Sequence, residues 1–86
     1  MISVEQTKSA IKKFISETSF IEVAKIKDES LIFREGLFDS MGFISMISFL
    51  EENFQIQIKD TELIDENFES VNAICNYLVR KTDQNV

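Results

Sequence analysis

The chain has 86 residues, enough for one small domain (1–86) and too few for two separate cores. Its hydrophobic fraction of 44%, with eight Phe, excludes a disordered tail, and no apolar run approaches the roughly 20 residues of a membrane span. A net charge of −6 argues against nucleic acid, and the absence of His removes imidazole catalysis and the commonest metal ligand.

The first residues, Met1-Ile2-Ser3-Val4-Glu5-Gln6, lack the basic-then-apolar order of a signal peptide. Ser3 with Gln6 matches a capping box. After it Thr7, Ala10, Ile11, Phe14, Ile15 and Thr18 recur at three- and four-residue steps, which predicts a first helix over residues 4–17. Residues 19–38 have no clean period. Val23-Ala24-Lys25-Ile26 is tempting as a strand but has no partner, so the segment is expected to be a long loop pinned by apolar side chains.

Gly36 breaks the chain just before Asp39-Ser40, and Asp is a strong N-cap. Met41, Ile44, Ile47 and Leu50 then give a helical stripe, with a second helix expected from Ser40 to about Asn53. Gln55-Ile56-Gln57-Ile58 alternates like a strand but stands alone, and is expected to be an extended connector. Asp60 is placed to cap a short helix over 61–65. Ser70 is placed to cap a last helix over 71–81, whose Val71, Ile74, Cys75 and Leu78 share one face. The fold class is therefore all-α: a small bundle of three main helices and one short helix, with a long first loop.

Charge is unevenly spread. Residues 28–69 hold eleven acids against two bases, Arg34 and Lys59, for a net −9, leaving +3 elsewhere. Such a field steers a molecule toward partners with basic surfaces. A calcium loop around Asp60-Thr61-Glu62 fails for lack of the ligand spacing and central Gly. The lone Cys75 excludes an internal disulfide and a cysteine-built zinc site, lies on an apolar helical face and suits a reducing cytoplasm.

Ser40 is the residue with chemistry at hand. It opens a helix, where backbone N–H groups lack partners and the dipole is positive, a place that favours a phosphate ester. No His or catalytic Lys stands near it in sequence. Ser40 is expected to be an acceptor that another enzyme modifies, not a self-activated nucleophile, and an enzyme in its own right is disfavoured.

These residues resemble a known family. Asp39-Ser40-Met41 resembles the Asp-Ser-Leu signature of acyl carrier proteins, and Asp28-Glu29-Ser30-Leu31 is similar to the acidic stretch of their first loop. Gly36-Leu37-Phe38-Asp39-Ser40 resembles the approach to the modified serine. Leu50-Glu51-Glu52-Asn53-Phe54 through Ile58 resembles Leu-Glu-Glu-x-Phe-x-x-x-Ile, and Asn67-Phe68 to Ile74 resembles the turn into the last helix. The likeness spans nearly the whole chain in one register. Gly42 and Ser45 stand where fatty-synthesis carriers often have acids, and Asp-Ser-Met-Gly also resembles stand-alone carriers for amino acids, such as D-alanyl carriers.

The resemblance implies an acyl-carrier-like bundle whose Ser40 receives 4′-phosphopantetheine, covalently, from coenzyme A through a phosphopantetheinyl transferase. Asp39 then serves as helix cap and as a contact to Mg²⁺ in the transferase complex. Cargo, acyl or aminoacyl, would ride as a thioester to enzymes of fatty acid, polyketide-like, lipid or amino-acid-modification pathways. Met41, Glu51 and Glu52 are expected to meet partners. Ile44, Met46, Ile47, Leu50, Ile58, Leu63 and Ile74 are expected in the core, and in this family such residues also wall an acyl pocket. The expected state is a non-catalytic, cytoplasmic monomer. The rival reading is an unmodified acidic helical adaptor for a basic protein partner.

Overall fold

A computed structural model describes residues 3–83, so Met1 and Ile2 of the N-terminal stretch lie outside the described residues. The described chain is all-helical and contains no strand. Its order is α1 (Val4–Ser19), a 3₁₀ turn (Val23–Lys25), α2 (Ser40–Phe54), a second 3₁₀ turn (Asp60–Glu62), α3 (Asp65–Phe68) and α4 (Val71–Asp83). The helix α1 packs on α4 and on α2, and α3 packs on α4. Among the described residues, no helix is long and apolar enough to cross a membrane.

Each main helix starts on a side-chain cap. Ser3 Oγ accepts from Gln6 N at 3.3 Å, Asp39 Oδ1 from Gly42 N at 2.8 Å, and Ser70 Oγ from Ala73 N at 3.1 Å. These satisfy amides that have no intrahelical acceptor. In α1 the apolar spacing buries Thr7, Ile11 and Ile15 and half-buries Ala10 and Phe14, while Thr18 is exposed. The α4 face of Val71, Ile74, Cys75 and Leu78 is fully buried, and Met46, Leu50 and Phe68 complete the centre.

The long first loop is held by side chains and by backbone. Ile26, Ile32, Leu37 and Phe38 are buried in the common core. Ile32 N donates to Glu69 O and Asn72 N to Asp28 O, each at 2.9 Å, which ties the loop to the start of α4. A run of aromatic contacts, Phe33–Phe43–Phe68–Tyr77, with ring centroids 5.1–5.6 Å apart, links the loop to α2, α3 and α4.

Asp28 adds an electrostatic clasp. Its carboxylate pairs with Lys12 and, at 3.2 Å, with Lys8, both on α1. The Lys12 and then the Lys8 hydrogen bond hold this carboxyl below its usual range. A folded-state value below the unfolded one contributes stability that is present at neutral pH and is lost progressively as pH falls through the folded-state value, below 3.8. Urea midpoints for Asp28→Asn should therefore lie below those of the wild type at pH 7, and the gap should narrow as pH is taken below about 4. A gap that stays unchanged from about pH 7 down to about pH 2 would show that the clasp does not act through charge.

Phe20 ends α1 in the left-handed region, with φ 60° and its N–H donated to Ser16 O, yet its side chain is 94% exposed. The backbone of a bulky residue is costly there and nothing is buried in return. Phe20→Gly should raise stability by about 0.5–1 kcal/mol after the extra unfolded-state entropy of Gly is subtracted. A thermal melt checks this, and an unchanged or lower midpoint refutes it.

The segment after α2 departs from expectation. The predicted helix over 61–65, capped by Asp60, is replaced by the 3₁₀ turn Asp60–Glu62 and then by α3 at Asp65–Phe68. Glu62 is the cause. Its Oε1 accepts from Lys59 N at 2.9 Å and from Lys81 Nζ at 2.7 Å, closing a tight turn onto α4. The helix restarts at Asp65, which brings Phe68 into the core.

Candidate functional site

Ser40 is the first residue of α2 and is exposed. The approach to it is rigid by construction. Leu37 N donates to Ile32 O at 2.9 Å, Gly36 takes φ 74°, and Leu37 and Phe38 are buried. The Phe38 ring meets Phe14 of α1 edge-on, with centroids 6.0 Å apart. Asp39, in extended conformation, accepts from Gly42 N through its side chain and from Phe43 N through its carbonyl. The serine hydroxyl is thus presented at the positive end of a 15-residue helix on a well-anchored turn.

Gly42 has a packing reason. A Cβ built there would lie 2.9 Å from Phe38 Cδ1 and 3.3 Å from Phe38 Cγ, so a larger residue displaces the ring that anchors the approach. An acid at this position would push on the same ring. A cleft of about 420 Å³ runs between the end of α1 and the start of α2, bounded by Thr18, Ser19, Leu37 and Phe38 and reaching Asp39 and Gly42. Sequence reading did not bring out Thr18 and Ser19 as neighbours of this site, since only the packing of α1 against α2 places them there.

The outer face of α2 carries Met41, Ile44, Ser45, Ser48 and Glu52, all exposed and spaced by three, four or seven residues. Met41 is 69% exposed beside Ser40. Of the residues expected in the core, Met46, Leu50 and Ile74 are fully buried and Ile47 and Ile58 half-buried. Ile44 and Leu63 are exposed, which corrects that expectation: Ile44 turns outward with Met41, and Leu63 sits at the break between the 3₁₀ turn and α3.

Glu51 and Glu52 also differ from each other. Glu52 is exposed, whereas Glu51 Oε2 accepts from Ile58 N at 3.0 Å and holds the connector against α2. Glu51 is a structural brace first. Cys75 is buried, and desolvation pushes its thiol up from the usual range, so little thiolate forms. Among the described residues there is no cluster of His, Cys, Asp or Glu arranged to hold a metal ion.

The family model described as "phosphopantetheine attachment site" matches residues 9–78, a span that contains Ser40 together with Phe14, Leu37, Phe38, Asp39 and Gly42. The chain belongs to the acyl carrier protein family. The acyl carrier protein homolog of Mycoplasmopsis pulmonis is 36% identical over 74 residues, covering 85% of this chain and 97% of that protein. The D-alanyl carrier protein of Streptococcus mutans is 34% identical over 67 residues, covering 78% and 84%. The acyl carrier protein of Clostridium acetobutylicum is 31% identical over 74 residues, covering 86% and 94%. The group that acyl carrier proteins bear is 4′-phosphopantetheine, attached covalently. The turn around Ser40 fits such a group: its hydroxyl is exposed, its helix end favours a phosphate, and a cleft opens alongside.

Proposed function

We propose that Ser40 takes the 4′-phosphopantetheine group and that the chain carries an acyl or aminoacyl cargo on it, supplying no catalysis of its own. The observation that carries this reading is an exposed serine at the first position of a capped, 15-residue helix inside the matched carrier segment. When attached, the group supplies a terminal thiol for thioester formation. Relatives named both as acyl and as D-alanyl carriers support a carrier without deciding the cargo.

The chain's own residues have limited tasks. Ser40 Oγ forms the new O–P bond with coenzyme A, adenosine 3′,5′-bisphosphate leaves, and the hydroxyl proton goes to a base on the transferase. One oxygen of Asp39 is committed to Gly42 N, and the carboxylate contributes to holding Mg²⁺ in the transferase complex. Met41 and Glu52, with Glu51 in a lesser part, meet the basic surfaces of that enzyme and of cargo-handling partners. Met46, Ile47, Leu50, Ile58 and Ile74 are the residues from which an acyl pocket would open. The inert Cys75 leaves the arm's thiol without a competing nucleophile from the protein. The reading places a monomeric, single-domain chain in the cytoplasm, where coenzyme A and reduced thiols coexist.

Incubation of the full chain with coenzyme A, Mg²⁺ and a broad-range phosphopantetheinyl transferase tests this by intact mass. One phosphopantetheinyl group should be gained. No gain across several transferases would leave an acidic adaptor as the better reading.

A further inference from the structure

The cleft beside Ser40 is lined by residues of unlike chemistry. Leu37 and Phe38, both buried to nine-tenths or more, give it an apolar floor. The hydroxyl-bearing residues Thr18 and Ser19 at the end of α1 line it as well. Ser19 Oγ donates its proton to Ile15 O at 2.6 Å, which leaves its lone pairs free to accept from a ligand N–H. Gly42 contributes no side chain, and Asp39, whose Oδ1 accepts from Gly42 N, lines the end next to Ser40.

We infer that this cleft between α1 and α2 seats the pantetheine part of the arm on Ser40. The inference rests on the reading of Ser40 given above. The chemistry of that arm, a gem-dimethyl group followed by two amides, matches the cleft in kind. The methyls lie on Leu37 and Phe38, and an amide N–H reaches the hydroxyls of Ser19 and Thr18. The match in affinity need not be strong. A tethered group has an effective concentration on the order of mM, so an intrinsic dissociation constant of about 1 mM already keeps the cleft about half filled. A second cleft, of about 410 Å³ and lined by Leu31, Phe33, Arg34, Asp65 and Glu69, includes no residue of the first turn of α2 and is the rival seat.

Nuclear magnetic resonance on the full chain before and after loading tests the proposal, with intact mass first establishing that one group has been added. The expected result is amide shifts at Thr18, Ser19 and Leu37 beyond those at 39–43, with NOEs from the two pantoyl methyls to Leu37 and Phe38. Thr18→Trp, at an exposed position, should load fully and keep its melting temperature but lose those NOEs. Ser19→Ala should weaken them, which gives a second reading if the Trp variant folds poorly. Shifts confined to 39–43, NOEs to Leu31 or Phe33 instead, or NOEs that survive Thr18→Trp would each overturn the seat while leaving Ser40 as the attachment residue. A chain that gains no mass overturns both.

Discussion

Leu50→Ala should lower stability by about 2–5 kcal/mol, the range for emptying a fully buried aliphatic site. Leu50 has no exposed surface and belongs to the same buried cluster as Ile11 and Ile15 of α1 and Ile74 and Leu78 of α4. The loss combines the transfer of the removed carbons, about 0.8 kcal/mol for each CH₂, with the cavity that remains. In a small domain whose whole stability is about 5–10 kcal/mol, the variant keeps its helices but a much lower urea midpoint. Ile47→Ala should fall between, since Ile47 is only half-buried, and Ile44→Ala should be nearly neutral at 58% exposure. Equal losses at Leu50 and Ile44 would mean that α2 is rotated from the orientation described.

That graded series marks the limit of what the sequence alone could deliver. Ser3, Asp39 and Ser70 announce helix starts because a cap is a local device, readable from a few adjacent residues. Regular apolar spacing likewise located α1 and α4, which each have a polar side. The helix α2 is different. Phe43, Ile44, Met46, Ile47, Phe49 and Leu50 place apolar groups on most of its circumference, so periodicity cannot say which of them turns inward. Burial against α1 decides it, leaving Ile44 outside with Met41.

Other features depend on contacts between residues far apart in the chain. Glu62 shifts the short helix by answering Lys81, nineteen positions later, and Glu51 leaves the acidic surface by accepting from Ile58 N, seven positions later. Nothing about a Phe signals the left-handed backbone at residue 20, and nothing about Gly42 reveals that the Phe38 ring lies beneath it. Around Ser40 the cap, the helix start and the family signature were readable, while the cleft required α1 and α2 to be packed.

Ser40→Ala should abolish phosphopantetheine loading altogether, with no mass gained under conditions that convert the wild type. Ser40 is exposed and lies outside the core, so the variant should melt within about 0.5 kcal/mol of the parent, as surface substitutions do. Asp39 then separates two roles that share one side chain. Asn caps a helix about as well as Asp, so Asp39→Asn should also stay close to the parent in stability, whereas Asp39→Ala loses the bond to Gly42 N and should cost on the order of 1 kcal/mol. If the carboxylate also helps hold Mg²⁺, both variants should load slowly, and the Asn variant will do so with its fold intact. Loading rates at several Mg²⁺ concentrations, beside thermal melts of the same proteins, distinguish the cases. Normal loading of Asp39→Asn confines Asp39 to capping, and any loading of Ser40→Ala moves the attachment to another serine, with the exposed Ser45 one turn further along α2 the first to examine.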